Sequence, residues 1–277
     1  MAGLFKHISI RKNKVSDLLG FSMEKITFLD HGIDFLEALK KHGAHFSRAG
    51  DHLQIQIKGN LFQVNSWEEL FILNEVFVES VYDIDLAGNY AVIDIGMNVG
   101  MASLHFASGN NCEKVFSFEP FANTIDKAMV NYALNPHSNK ISIFNTGLGF
   151  PGREVTSLYS EEFKGSVGIC ENPHVKNAKD SSPVNWRVKD VAAVFKEIYD
   201  AYKGTLVVKI DCEGAEYEIM ERLDATSLIQ RVSAFIIEWH MQGQEMLNSV
   251  LLRNGYYILN RPSERSDRGM IYGFKIK

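Results

Sequence analysis

Cysteine is scarce in this 277-residue sequence: three residues, Cys112, Cys170 and Cys212, odd in number and far apart. No CxxC or Cys/His pair has zinc spacing, so neither a disulfide framework nor a zinc module is expected, and the three are read as reduced thiols. Long apolar runs are also missing. No stretch approaches the roughly 20 apolar residues of a membrane span. The opening stretch MAGLFKHISIRKNK lacks the apolar run of a secretory leader, so a cytoplasmic protein is expected. Basic charge is short: 29 Lys and Arg against 34 Asp and Glu leave a net charge of −5. A chain of that balance is a poor nonspecific nucleic-acid binder, which needs a basic face. There is no internal repeat and no low-complexity tract. What remains is 45% hydrophobic, enough for one large globular domain, alone or with a smaller attachment.

Two regions differ in rhythm. Residues 1–74 read as an N-terminal extension of helices and a hairpin. GIDFLEALKKHG sets Ile33, Leu36 and Leu39 on one helical face, with Asp30 as a cap and Gly43 as a stop. Leu53, Ile55 and Ile57 alternate up to Lys58-Gly59-Asn60, a hairpin signal. Ser66 and Glu69 form a capping-box pattern ahead of the helix WEELFILNEVFVES. Residues 75–277 then alternate strands and helices. The strands are AVIDIG, KVFSFEP, ISIFNTGLG, TLVVKIDCEG, VSAFIIEWH, YYILNR and MIYGFKI. Between them come VGMASLHFAS, a helix with Ile125, Ala128, Met129 and Tyr132 at helical spacing, one with Ala215, Ile219, Met220 and Leu223 inward, and EMLNSVLLRNG. This predicts an α/β fold: a Rossmann-like, doubly wound sheet of seven strands, mostly parallel. The last two strands are too close in sequence for a helical crossover and should pair antiparallel. The stretch 150–190 stands where a helix is expected, yet reads as strands and a loop.

In an open α/β sheet, ligands bind beyond the carboxyl ends of the strands, where the strand order switches. Acids stand there at Asp94, Glu119, Asp211 and Glu238. Asp94 precedes the loop Gly96-Met97-Asn98-Val99-Gly100, and Glu119 comes 23 residues after Gly96. An acid at about that distance beyond a glycine loop can accept both ribose hydroxyl protons of a nucleoside. A nicotinamide loop needs a glycine where Asn98 stands, and a Walker loop needs Gly-Lys-Ser/Thr, which is absent. A cofactor with a ribose and no phosphates fits, and S-adenosylmethionine is such a cofactor.

Taken together, VIDIGMNVG, FSFEPFANTIDKAMVNYALN, LVVKIDCEGAEYEIMERL and FIIEWH resemble the FkbM-type methyltransferases, with KIDCEGAE the most specific block. The resemblance covers residues 75–277 and implies the class I methyltransferase fold, S-adenosylmethionine as cofactor, and methylation of oxygen on sugars or natural products. It implies that Asp94, Gly96, Asn98 and Gly100 line the methionine end and that Glu119 holds the ribose. Pro120 and Phe121 would lie near the adenosine, Thr146 and Gly147 at the adenine edge, and Tyr82 over the cofactor. The family commonly has alanine where Met97 stands and often valine where Cys212 stands.

A hydroxyl is a poor nucleophile until its proton is taken, so a general base or a metal is expected. Asp211, Glu213, Glu216, Glu238 and His240 all lie at or just beyond strand ends. Asp211 is nearest by position to a transferring methyl, and His240 is the natural base by its ordinary pKa. Glu238, two residues away on the same strand face, could orient it. Glu213 and Glu216 could instead cap the following helix. Asp211, Glu238 and His240 could also offer ligands to a divalent metal, but no closed ligand spacing is present and none is predicted. Arg261, Arg265 and Arg268, in a loop with Glu264 and Asp267, could grip an anionic acceptor; a solvated charged turn is the favoured reading. The expected function is therefore S-adenosylmethionine-dependent O-methyl transfer to a sugar, glycan precursor or natural product. The alternatives are a phosphorylated glycan precursor or nitrogen as acceptor, or a noncatalytic S-adenosylmethionine-binding protein. A nucleotide-dependent oxidoreductase is disfavoured by Asn98. A nucleic-acid base methyltransferase is disfavoured by Asp211-Cys212-Glu213-Gly214, where an Asn/Asp-Pro-Pro-aromatic motif would stand.

Overall fold

The computed structural model describes residues 14–22, 27–161, 163–169, 173–263 and 266–275. The expectations placed on the first thirteen residues, Cys170, Glu264 and Arg265 lie outside the described residues.

After a helical segment at 14–19 and a 3-10 turn at Thr27–Asp30 come α1 (Ile33–Lys41), a meander of β1 (His45–Ala49), β2 (His52–Ile57) and β3 (Asn60–Val64), then α2 (Trp67–Phe77). The expected hairpin is β2–β3, turning at Lys58 and Gly59, both with positive φ. β1 adds a third strand, paired antiparallel with β2. Its sequence, His-Phe-Ser-Arg-Ala, is too polar to signal a strand by alternation. The cap of α1 is Gly32, two residues later than the expected Asp30. Ser66 caps α2 as expected, its Oγ accepting from the Glu69 N–H at 3.2 Å, while Glu69 Oε2 accepts from the Asn65 N–H at 2.7 Å. Residue 74, where the extension was expected to end, falls inside α2.

The main unit follows: β4 (Tyr90–Ile95), α3 (Met101–Ser108), β5 (Cys112–Phe118), α4 (Ala122–Ala133), β6 (Ile141–Phe144), β7 (Gly147–Gly149), β8 (Arg153–Tyr159), α5 (Pro173–Asn177), β9 (Ser182–Asp190), α6 (Val191–Ala201), β10 (Thr205–Ile210), α7 (Glu216–Ala225), β11 (Ala234–His240), α8 (Glu245–Arg253), β12 (Tyr257–Pro262) and β13 (Arg268–Phe274). The seven-stranded sheet has the order β12-β13-β11-β10-β4-β5-β6. β13 alone runs antiparallel to its neighbours. This is the class I, Rossmann-like α/β architecture.

The expected third strand divides in two: β6 stays on the sheet edge, while β7 leaves it to pair with β9. Residues 150–190 supply β8 and β9, so β7, β9 and β8 form a separate three-stranded sheet. Helix α6 restores the crossover that this insertion delays. Its N-cap Asp190 accepts from the Ala192 N–H at 2.9 Å. In α4, Ala128 and Tyr132 point inward, but Met129 is exposed.

Strand alternation sorts the core into two layers. Ala91, Ile93, Ile95, Leu206, Val208, Ile210, Phe235 and Ile237 pack with α6, α7 and α8. Val92, Val115, Val207, Ala234 and Ile236 pack with α3, α2 and the N-terminal sheet. Phe62 of β3 and Phe77 of α2, both fully buried with rings 5.3 Å apart, tie the extension to this second layer. Truncating either to alanine costs about 3–5 kcal/mol in a packed core. Among the described residues no helix is long and apolar enough to cross a membrane.

Candidate functional site

β4 pairs with β5 on one side and β10 on the other, so the strand order reverses at β4 and its carboxyl end opens a crevice. The loop that follows is shaped by contact. Gly96 has φ +81, and a Cβ there would fall 1.7 Å from the Asp211 carbonyl oxygen. Gly100, at φ +78, leaves no room beside the Tyr132 ring. Asn98 is also left-handed, with φ 51, and this turns its N–H onto Glu119 Oε2 at 2.9 Å. The other oxygen of Glu119 accepts from the Phe121 N–H at 3.1 Å. Burial pushes the Glu119 carboxyl up to about 7, against the pull of these two donors.

This carboxylate stands in a cleft of about 620 Å³, also lined by Gly96, Asn98, Pro120, Phe121, Gly147, Asp211 and Glu213. One end is apolar: Phe118, Leu148, Val167, Ile169 and Trp186 line it. Phe121 stands edge-on to Trp186 at 5.6 Å. The segment 164–169 closes one side of the cleft. Gly165 donates its N–H to Glu68 Oε1 at 3.2 Å, and Lys164, fully buried, pairs with Glu68 at 3.3 Å and Glu69 at 3.2 Å.

Four of the residues singled out in the sequence lie behind the cleft. Asp94 is fully buried, accepts from Ser103 Oγ at 2.5 Å and pairs with Lys209 at 3.1 Å. Gly100 packs on Tyr132. The Thr146 hydroxyl donates to the Arg187 carbonyl at 3.0 Å. Tyr82 reaches the far side of Asp211, its hydroxyl donating to Oδ2 at 3.0 Å.

Beyond Asp211 the expected acids and histidine converge. Candidate ligand atoms of Asp211, Glu238 and His240 lie within 4.8 Å of one another. His240 Nε2 is 3.6 Å from Glu213 and 3.7 Å from Glu238. Glu216, fully buried at the start of α7, accepts from the His240 backbone N–H at 2.7 Å and lies 3.2 Å from Nδ1. Burial would keep this imidazole neutral, but Glu216, Glu213 and Glu238 outweigh it and raise His240 to about 10. Burial likewise works against charge on Asp211, yet Lys209, His240 and the Tyr82 hydroxyl hold its carboxyl below the usual range. Glu238 is pushed up to about 7 by burial and by Asp211. Cys212 lines the first cleft as a neutral thiol, its pKa raised by burial and then by Glu216. Among the described residues, Cys112 and Cys212 are free.

A second, open cleft of about 1,230 Å³ lies on the other side of Glu238, between α2 and the β12–β13 hairpin. Phe71, Glu75 and Glu79 form one wall, and Arg261, Arg268 and Met270 the other. Arg261 pairs with Glu79 at 3.2 Å, and Arg268 lies 3.8 Å from Glu238. Burial and the neighbouring Glu238 and Asp211 push Glu75 up to about 9.

Sequence reading passed over Lys209, Lys164, Trp186 and Glu75. Lys209 carried a signal: a cation inside the apolar strand LVVKID must have a buried partner. In the register, Lys209 is the Cα partner of Asp94. Lys164 and Trp186 come from the insertion, whose return to the cleft no local pattern announces.

A model of the methyltransferase FkbM domain matches residues 94–258, more than half of the chain. Methyltransferase sdnD of Sordaria araneosa is 26% identical over 188 residues, covering 59% of this chain and 72% of that protein. AMB antimetabolite synthetase AmbE of Pseudomonas aeruginosa is 24% identical over 254 residues, 76% of this chain but only 12% of that protein. A crystal structure of methyltransferase FkbM from Methylobacillus flagellatus has a TM-score of 0.48 at 13% identity, covering 89% of this chain and 60% of that one. The matched segment opens at Asp94, runs through the glycine loop, Glu119 and Asp211, and includes the cluster at Glu238 and His240. The chain belongs to the FkbM methyltransferase family.

Proposed function

We propose that the chain is an S-adenosylmethionine-dependent O-methyltransferase acting on a hydroxyl of a small molecule: a sugar, a glycan precursor or a natural product. The observation that carries this reading is the Glu119 carboxylate. It is held by two backbone N–H groups, faces the first cleft and keeps lone pairs free for two ribose hydroxyls. The adenine would lie toward Phe121, Leu148 and Trp186, and the sulfonium toward Asp211. Asp94 would act from beneath, fixing the loop through Lys209, whose Nζ donates to the Gly96 carbonyl.

The acceptor would enter through the second cleft, one wall of which comes from α2 and the residues after it. In this reading residues 1–74 are an extension that helps shape the acceptor cleft, and 75–277 are the catalytic unit. Glu238 lines that cleft and adjoins Asp211, which lines the first. The acceptor oxygen attacks the methyl carbon in line with the C–S bond. An O–C bond forms, the C–S electron pair passes to sulfur to leave a neutral thioether, and the hydroxyl proton passes to Glu238. Arg261 and Arg268 are already beside Glu79 and Glu238, which favours a neutral acceptor over a phosphorylated one.

Calorimetric titration with S-adenosylhomocysteine tests the cofactor. One site is expected, weakened about 100-fold by Glu119→Ala if two hydrogen bonds to a charged group are lost at about 1.5 kcal/mol each. Absence of binding, or equal affinity in the variant, sinks the reading.

A further inference from the structure

We infer that Asp211, Glu238 and His240 form a binding site for one divalent cation of the manganese type, at the junction of the two clefts. Three observations carry this. First, ligand atoms of the three residues lie within 4.8 Å of one another, and His240 Nε2 is 3.7 Å from Glu238. Ligands about 2.1 Å from a shared octahedral ion are about 3 Å apart when adjacent and about 4.2 Å when opposed. Small side-chain rotations close the difference.

Second, His240 is 2% exposed, and its Nε2 has no hydrogen-bond partner. At 3.6 and 3.7 Å, neither Glu213 nor Glu238 is within hydrogen-bond reach. A buried nitrogen aimed at acids it does not touch leaves a gap that a small cation between them would fill.

Third, the imidazole is oriented from behind. Nδ1 lies 3.2 Å from Glu216 Oε1, and that oxygen is itself fixed by the His240 backbone N–H. With Nδ1–H donating to Glu216, a cation that displaces the Nε2 proton meets a lone pair directed at the cluster. Histidine ligands of metals are oriented by such a carboxylate.

Asp211 Oδ2 is engaged by Tyr82 and lies 3.6 Å from Lys209, leaving Oδ1 for the cation. The Asp211 side chain is 28% exposed, which gives the ion a route in. Two carboxylates and one imidazole suit a first-row divalent ion better than calcium, which takes only oxygen. An acceptor hydroxyl bound to this cation would be acidified, and the second oxygen of Glu238 would remain to receive its proton. This role in transfer rests on the proposed function; the metal site itself does not.

The test is Mn²⁺ binding to the full chain without methyl donor or acceptor, read by loss of the free Mn²⁺ electron-paramagnetic-resonance signal. One ion per chain is expected. His240→Ala and Glu238→Gln should each weaken it about 10-fold or more, while Glu79→Gln, on the far wall of the second cleft, keeps wild-type affinity. Circular dichroism of each variant establishes folding, and if His240→Ala is unfolded the isosteric Glu238→Gln and Asp211→Asn decide. Absence of stoichiometric binding by the wild type, or wild-type affinity in the folded variants, overturns the inference. Neither result depends on S-adenosylhomocysteine binding, so the two readings fail separately.

Discussion

The affinity of the first cleft for a nucleoside thioether should depend on pH through Glu119. Its carboxyl is pushed up to about 7 in the free protein because burial outweighs the Phe121 and Asn98 donors. Accepting two ribose hydroxyl protons requires the ionised form. The sign follows directly: raising the pH through 7 increases the competent fraction, and affinity rises with it. With a pKa of about 7, roughly a tenth of the protein is competent at pH 6 and roughly nine tenths at pH 8. Apparent Kd scales as the inverse of that fraction, so affinity should improve about 10-fold across the interval. The appropriate ligand is 5′-methylthioadenosine, which keeps the ribose and thioether but carries no amino-acid charges that titrate there. Isothermal calorimetry at several pH values reads the slope. Glu119→Gln should abolish it and bind weakly at every pH. Both carboxylate oxygens accept a backbone N–H, at 2.9 and 3.1 Å, so the amide NH₂ must face one of these donors. A lost hydrogen bond to a charged group costs about 1.5–3 kcal/mol, roughly 10- to 150-fold. A flat pH profile in the wild type, or an unchanged slope in Glu119→Gln, refutes the reasoning.

Lys209→Met should lower unfolding stability by about 3–5 kcal/mol in urea, because it strands the buried Asp94 that Lys209 meets at 3.1 Å; a loss below about 1 kcal/mol would count against a structural role. Gly96→Ala should abolish S-adenosylhomocysteine binding, since the added Cβ meets the Asp211 carbonyl at 1.7 Å and the loop must move; wild-type calorimetry would contradict that packing. Trp186→Ala should weaken adenosine-containing ligands about 5-fold or more through loss of an aromatic wall, and unchanged affinity would remove Trp186 from the adenine end. Tyr82→Phe deletes only the hydroxyl that donates to Asp211 at 3.0 Å. Once an acceptor is known, it should lower kcat while leaving cofactor affinity near wild type, and the reverse pattern would place Tyr82 over the cofactor.

Much of the sheet was legible because its physics is local. Buried parallel strands read as apolar runs, and the short connection before the last strand forces the antiparallel pair. The glycine loop and Glu119 were legible because a fixed spacing along one βαβ unit places them together. Other features depended on tertiary context. β7 leaves the main sheet because β9 offers it a partner, and β9 lies some forty residues downstream. Helix α6 has a clear apolar face, yet it follows an insertion that breaks the expected alternation. Tyr82 and Thr146 carry polar groups near the site, and in each the hydroxyl bonds a protein partner that no sequence spacing announces. His240 looks like a neutral-range base in sequence. In the structure Glu216, Glu213 and Glu238 converge on it and raise it out of that range.

The alternation of three central strands explains why the charges collect on one side of the sheet. Val92 and Asp94 share a face, as do Val207, Lys209 and Asp211, and Ala234, Ile236, Glu238 and His240. Each strand is apolar where it enters the sheet and charged where it leaves, on the same face. The opposite face stays apolar through Ile95, Ile210 and Ile237, covered by α6, α7 and α8. The charged ends instead meet what precedes β4: Tyr82 on Asp211, Glu75 beside Glu238, and Arg261 bound to the Glu79 carbonyl at 3.1 Å. In the proposed reading, the residues that hold the cofactor end belong to the sheet, its loops and the insertion. Those that wall the second cleft come partly from α2, whose apolar side is anchored in the N-terminal layer. The same helix also holds the wall of the first cleft, through Glu68 and Glu69 on Lys164 and Gly165, so a change in the N-terminal layer should reach both the proposed acceptor cleft and the proposed cofactor cleft.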